Sequence, residues 1–394
     1  PNPWDLLRRG APAQSTHMTG VDARTFQEYL SRCGAYSSYL DEAFLLVGFR
    51  RPSYFRPDLS KAACIYIGWL LTAGVLDAFR GRRGDDGGEI AYPYYEYLAV
   101  RELQRFIDVA DARALHEVVY PVVILGTFEM VRFSPRAITH LAAVGNFIKS
   151  RGGLRMMPDV MQHIVLMQVA DTLQCVCLGT PLAFDVLGPA PVMRLVTTDG
   201  NSSLTGNQLR SCPLLLCDDE DFSLAAQYVD PAIAVQLAAV LQAASDSFWQ
   251  FSHSGTQIRR LPDDGLLDAD LDLDALLIDR PAAAANDVSR LFLQACASAA
   301  RIMRRTLSGN SDGFDDAANE PDVQTLYDTA RFIGLKAWTG LPYVYVWANL
   351  IGFAASTDGR MRSYFIAEVV RCAFSYGCYQ MDLFQAVLRN FLHP

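Results

Sequence analysis

Apolar residues recur at three- and four-residue spacing through most of the chain, and almost no stretch alternates apolar and polar residues between hairpin turns. The pattern predicts an all-α protein. A first helix begins near Val21, carries Phe26, Tyr29, Leu30 and Cys33, and continues or breaks before the apolar run 44–49. A second spans about 59–79, with Cys64, Ile65, Gly68, Leu71 and Leu76 on its buried side, and ends in the Gly-rich charged loop 81–88. Helices over 94–111 and 112–133 follow, the latter kinked where Pro121 removes a backbone donor.

Ser134-Pro135 reads as a helix start, with Ser as N-cap and Pro at the first helical position. That helix runs to Ser150 and stops at Gly152-Gly153, which tolerate the left-handed conformation of a helix C-terminus; either glycine is expected to adopt positive φ. The next opens at Pro158-Asp159, reaches Cys177 and ends at Gly179-Thr-Pro181. Its neighbour over 141–147 is expected to pack against 164–175. Turn signals then interrupt the periodicity over about 185–220, and again over 254–286 after a helix 222–251 kinked at Pro231. Helices resume over 287–307, 321–338, 343–356, 361–376 and 381–392, with no repeat of fixed period. The expected organisation is a flexible segment 1–20 and one large multi-helix domain over 21–394 containing the two variable loops.

The chain has 394 residues, 51% of them apolar and 20% charged, which excludes collagen-like, rod-like and broadly disordered classes. Its 34 Lys and Arg against 43 Asp and Glu leave a net charge of −9, a poor balance for gripping a phosphate backbone. Nine Cys without repeated spacing, several inside apolar runs, read as buried thiols in a reducing intracellular compartment. The N-terminal sequence lacks a signal-peptide pattern, and the absence of a starting Met suggests a fragment. The uncharged run 337–357 is long enough to cross a bilayer, but Gly340-Leu-Pro342 breaks it early, so no membrane span is expected.

Candidate chemistry fails on residue types. The close cysteine pairs, Cys175 with Cys177, Cys212 with Cys217 and Cys372 with Cys378, lack zinc-site spacing, and His116-Glu117 lacks the following His of a zinc protease. One G-x-S-x-G match, Gly309-Asn-Ser311-Asp-Gly313, has no preceding strand and no triad order after it, and reads as a solvated loop. Neither a Walker loop nor a dinucleotide fingerprint is present, so no catalytic residue is assigned. His140 and His163 sit singly on apolar helices and read as half-buried, hydrogen-bonded side chains. Asp171 stands out as the one charge in the uncharged run 164–177, where burial demands a partner; an ion pair with Arg151 or Arg155 is expected.

A family resemblance enters here. His140-Leu, Arg151-Gly-Gly-Leu154, Asp171 and Pro181-Leu-Ala-Phe184 resemble the H-L … R-G-G-L … D … P-x-F core of the fungal-specific transcription factor regulatory domain. The C-terminal part is similar to that family's close, through Val346-Trp347-Ala-Asn-Leu-Ile-Gly-Phe353-Ala-Ala355, Arg362-Ser-Tyr364-Phe365 and Val387-Leu-Arg-Asn-Phe-Leu392. The resemblance covers about 95–392, with Phe353 replacing a small residue and Tyr364 replacing Trp. It implies a non-enzymatic regulatory domain, nuclear in the full-length protein, that senses a metabolite or a partner and works with transcriptional coregulators, either as a monomer or as a homodimer. The family's six-Cys zinc cluster is absent here, so zinc is expected only in a separate DNA-binding domain, with no cofactor and no direct nucleic-acid contact in this chain. Some relatives bind sterols or other small hydrophobic molecules, and a candidate apolar pocket is drawn from Tyr66, Trp69, Phe128, Met167, Phe332, Trp338 and Tyr345, although such side chains most often simply fill a core. The segment 263–279 interleaves seven Asp with Leu and Ile. Leu267, Asp270, Leu271, Leu273 and Leu276 form either an acidic activation segment or a loop packed on the domain. A helical interaction scaffold and an all-α enzyme with an unrecognised site are the competing classes.

Overall fold

The computed structural model describes residues 62–81, 92–109, 117–153, 164–180, 182–183, 287–307, 313–338 and 342–374, together with Gln27 and Ser31. Among the described residues the regular structure is helical throughout, with no strand, so the fold class is all-α. The chain divides into two compact units, Pro1–Phe44 with Arg50–Val192, and Leu45–Phe49 with Met193–Pro394. This is a finer division than the single domain expected from sequence, and its main boundary falls inside the first turn-rich span.

The first unit contains α1 (Ala62–Phe79), α2 (Tyr92–Val109), α3 (Val119–Val131), α4 (Arg136–Ser150) and α5 (Ile164–Leu178). Helix α3 packs against α1, α4 and α5, and α1 also packs against α2. The sequence of α3, Val-Tyr-Pro-Val-Val-Ile-Leu-Gly-Thr-Phe-Glu-Met-Val, is apolar on nearly every side, so no face of it can be left to water at low cost. Eleven of its thirteen residues are accordingly buried. The expected kink at Pro121 is absent because the helix starts at Val119. Pro121 therefore lies in the first turn, where its missing N–H deprives no carbonyl of a partner.

Helix α1 is the one described helix with the length and composition of a membrane span, but 83% of it is buried inside the protein. The burial accounts for its apolar sequence, and no membrane span is supported. The run 337–357 considered from sequence divides into a 3-10 turn, Leu335–Trp338, and a helix of only 14 residues, Pro342–Ala355. Asp77, the one charge in α1, is buried near its C-terminus and accepts a 2.6 Å hydrogen bond from the Tyr92 hydroxyl of α2. Trp69 lies 4.0 Å from Tyr95 between ring centroids and Tyr92 lies 5.6 Å from Phe128, so aromatic contacts join α1, α2 and α3.

The second unit contains α6 (Asp287–Leu307), α7 (Glu320–Ile333), α8 (Pro342–Ala355) and a final described helix, α9, over 359–374. Small buried residues on α6, Ala295 to Ala300, let α7 and α8 approach it closely. Helix α7 ends sooner than its periodicity suggests, because Gly334 adopts φ 70° and the chain continues as the 3-10 turn Leu335–Trp338. Helix α9 starts two residues before the expected position because Asp358 caps it, accepting from the Arg360 amide at 2.6 Å. Burial pushes the Asp358 carboxyl up, but the Arg360 and Met361 backbone amides, with the Arg360 guanidinium, outweigh it and hold the group below its ordinary range. Helices α8 and α9 cross at Gly352, where an added Cβ meets the Phe365 ring at 2.6 Å.

The Gly352→Ala substitution is expected to destabilise the second unit by about 1–3 kcal/mol through overpacking against Phe365. Chemical denaturation followed by circular dichroism checks this, and an unchanged midpoint refutes the close crossing.

Candidate functional site

The residues of the family-like core lie mostly in the first unit. At the end of α4 the Gly152 amide donates to the Lys149 carbonyl and the Gly153 amide to the Ile148 carbonyl, at 3.1 and 3.0 Å. These paired bonds close the helix as a Schellman motif. Both glycines have positive φ, 86° and 90°, as their position after the last apolar turn predicts. Arg151 is the C-cap, and its guanidinium lies over the Phe147 ring at 5.4 Å.

Asp171 on α5 is only 2% exposed and accepts a 2.8 Å hydrogen bond from the Ala183 amide. A backbone N–H is thus a partner of this carboxylate, a contact the ion-pair expectation did not include; Arg155 lies outside the described residues. Ala183 belongs to the stretch between Pro181 and Phe184, both outside the described residues. Its carbonyl oxygen stands 3.0 Å from the place a Cβ on Gly145 of α4 would take. Gly145, Ala183 and Asp171 therefore bind the segment after α5 to both helices, and α4 packs against α5 as the sequence suggests. Two buried glutamines on α5, Gln168 and Gln174, were not singled out by sequence because uncharged polar residues do not interrupt an apolar run.

His140 is half-buried on α4, with its Cβ 3.4 Å from the position of a Cβ on Gly126 of α3. Burial lowers its proton affinity, Glu96 opposes that and Arg136 adds to it. The net effect favours the neutral imidazole. Trp347, fully buried on α8, belongs to the second unit.

Of the candidate pocket residues, Tyr66, Trp69, Phe128 and Met167 are core side chains of the first unit, and Trp338 and Tyr345 are core side chains of the second. Phe332 is 73% exposed on α7 and lines no buried space, which corrects its inclusion. The residues Leu267, Asp270, Leu271, Leu273 and Leu276 lie outside the described residues, as do Ser311 and His163. Gly313 has φ 72° and its carbonyl accepts from Asn319 Nδ2 at 3.2 Å, so this end of the G-x-S-x-G match is a braced turn. No group of three or more potential metal ligands occurs among the described residues.

The second unit holds two ionic clusters that sequence reading passed over. On α9, Arg371 and Glu368 form a buried ion pair one turn apart, and an Arg371 Nη2 donates to the Tyr345 hydroxyl of α8 at 3.4 Å. Burial pulls down the proton affinity of Arg371, but Glu368 and Tyr345 reverse this and keep the guanidinium charged. Burial, reinforced by Glu368, pushes Tyr345 and Tyr364 well above the usual tyrosine range, with Arg371 opposing. The Cys372 thiol is likewise pushed up by burial and stays protonated. Between α6 and α7, Arg301 donates through Nε and Nη2 to Asp322 Oδ1 at 2.8 and 2.6 Å, Arg305 donates to Oδ2, and Arg305 Nε reaches Asn319 at 2.9 Å. A signal existed for both: the Glu-x-x-Arg spacing 368–371 and the basic end of α6 facing the acidic first turn of α7.

Among the described residues the geometry defines a helical protein in which most buried charges are met by a specific partner, and in which burial pushes Tyr345, Tyr364 and the Cys372 thiol toward their neutral forms. Compared with family models, known proteins and solved structures, the chain matches none.

Replacing both Gly152 and Gly153 with Val is expected to destabilise the first unit, at about 1–2 kcal/mol for each side chain forced into the left-handed region. Unchanged thermal stability of the double variant refutes the turn assignment. Tyr345 and Tyr364 give a second expectation. Their folded-state values are raised, so the stability they contribute is complete below the unfolded tyrosine value of about 10 and is lost as pH rises through the folded values. Ultraviolet titration is expected to show their phenolate signals only alongside alkaline unfolding; ionisation of all tyrosines in the ordinary range with native circular dichroism refutes their burial.

Proposed function

We propose that this chain is the regulatory, effector-binding domain of a fungal zinc-cluster transcription factor, nuclear in the full-length protein, which controls transcription in response to a metabolite or a partner protein. In this reading it performs no catalysis, and zinc belongs to a separate DNA-binding domain. The observation that carries it is the order of the H-L, R-G-G-L, D and P-x-F pieces in an all-α chain, with Arg151-Gly-Gly153 at a helix end and Asp171 hydrogen-bonded into the segment between Pro181 and Phe184. Buried polar atoms without a protein hydrogen bond in the second unit, Trp338 Nε1, Trp347 Nε1 and Asn349 Oδ1, support an effector role, because a small ligand's polar atoms satisfy groups of this kind.

A helical interaction scaffold is the second reading, and it rests on α2. Tyr94, Tyr97, Val100 and Ile107 are exposed there on a helix whose other side is buried, an apolar surface of the sort that partners cover.

Fusing the chain to a heterologous DNA-binding domain is expected to change reporter transcription several-fold, up or down, relative to that DNA-binding domain alone. A folded, nuclear fusion with no effect overturns the transcriptional reading and leaves the scaffold. The chain alone, with its net charge of −9, is expected to show no sequence-specific shift of duplex DNA at physiological salt. A salt-resistant gel shift contradicts that expectation.

A further inference from the structure

Glu129 is the sole charged residue of α3, is 1% exposed, and its Oε1 makes no hydrogen bond. It lies beside the corner joining α3 to α4. There the Ser134 amide donates to the Glu129 carbonyl and the Phe133 amide to the Met130 carbonyl, both at 2.8 Å, another Schellman closure. The residue in the left-handed position is not glycine, however, but Phe133, at φ 54°. A bulky side chain there is strained, and the surrounding bonds must hold it. Ser134 ties the corner to α4, its Oγ accepting the Arg136 amide at 3.3 Å.

The corner and its neighbouring helices carry several charged groups, of which Glu96, Arg132 and Arg136 act on Glu129. The corner supplies Arg132. Helix α4 supplies Arg136, which pairs with Glu96 of α2 at 2.6 Å, and half-buried His140, which feels both members of that pair. Asp77 of α1 is engaged by Tyr92, and Asp171 of α5 by Ala183. Burial pushes the Glu129 carboxyl above its ordinary range and Glu96 adds to this, while a hydrogen bond from Ser134 and the charges of Arg132 and Arg136 oppose it.

We propose that the α3–α4 corner is a proton-controlled hinge, closed while Glu129 is protonated and loosened when Glu129 ionises. The ionised carboxylate has a buried oxygen with no protein donor, and opening the corner hydrates it. Opening also breaks the Ser134–Glu129 backbone bond and lets Phe133 return to an unstrained basin. Because the folded-state affinity for the proton is raised, closure is complete below the ordinary glutamate value and is lost as pH rises toward the folded value. His140, whose proton affinity is lowered, acts in the opposite sense and weakens the fold as pH falls.

The test is hydrogen exchange of the Phe133 and Ser134 amides in the full chain, corrected for intrinsic rates, across the range from mildly acidic to neutral pH. Protection in the wild type is expected to fall about tenfold for each pH unit between the ordinary and the folded glutamate values. The Glu129→Gln variant, a neutral isostere of the protonated acid, is expected to lose that decline; the same decline in both proteins overturns the proposal. Phe133→Gly relieves the strain without touching the acid, so higher protection with the pH dependence retained is expected, and loss of the dependence overturns it. Should the Gln variant not fold, the carbon-13 carboxyl shift of Glu129 in the wild type decides the matter, a midpoint at the ordinary glutamate value being the refuting result.

Discussion

Three of the described helices, α1 and α3 in the first unit and α8 in the second, are apolar on almost all sides, and this constrains the arrangement. A helix with one apolar stripe needs one neighbour, but α1, α3 and α8 must be enclosed. Enclosure brings backbones together until the Cβ atoms at the crossing become the obstacle. Gly126 faces His140 and Leu141 of α4, and Gly352 faces the ring of Phe365, so the close approach happens where a side chain is missing. Interiors are packed like organic crystals, so these contacts leave little room for adjustment.

Within such cores a charge is tolerated only where a partner of suitable geometry meets it. Asp77 has the Tyr92 hydroxyl, Asp171 has the Ala183 amide, Asp322 has two guanidinium groups and Glu368 has Arg371. The partners of Asp77, Asp171 and Asp322 belong to other elements, so these charges also fix register between segments, whereas Glu368 and Arg371 pair one turn apart on α9. Removing one partner of a buried pair typically costs about 3–5 kcal/mol, because the other charge is left behind. Glu129 departs from this rule in part, since one of its oxygens is left without a hydrogen bond. The strained Phe133 lies four residues further along, in a corner whose bonds run through the Glu129 carbonyl.

Much of the helical architecture was legible. Three- and four-residue periodicity marked all the described helices, and turn residues located their ends to within about two residues in most cases, as Gly152-Gly153 and Gly179 show. Asp171 was legible as a buried charge from the uncharged run around it. The same criterion applies to Glu129, the lone charge of α3, but the expected start at 112 merged that helix with a more polar segment and hid the contrast. The buried aromatic residues were recognised as apolar helix positions, yet Phe332 and Trp338, six residues apart, have opposite fates: the first is exposed and the second is 1% exposed. Gly334 ends α7 between them and changes the direction of the chain, which periodicity counted across the break cannot register.

By itself the sequence determined the all-α class, the positions of most helices, the left-handed glycines after α4 and the need for a partner at Asp171. These follow from local physics: the helical repeat, the steric freedom of glycine and the cost of burying a charge. Tertiary structure alone decided which partner each charge received, which glycines lie at crossings, and which aromatic residues are core. Those outcomes depend on contacts between residues distant in sequence, such as Asp77 with Tyr92 or Gly352 with Phe365, where the geometry of two elements, rather than the composition of either, sets the energy.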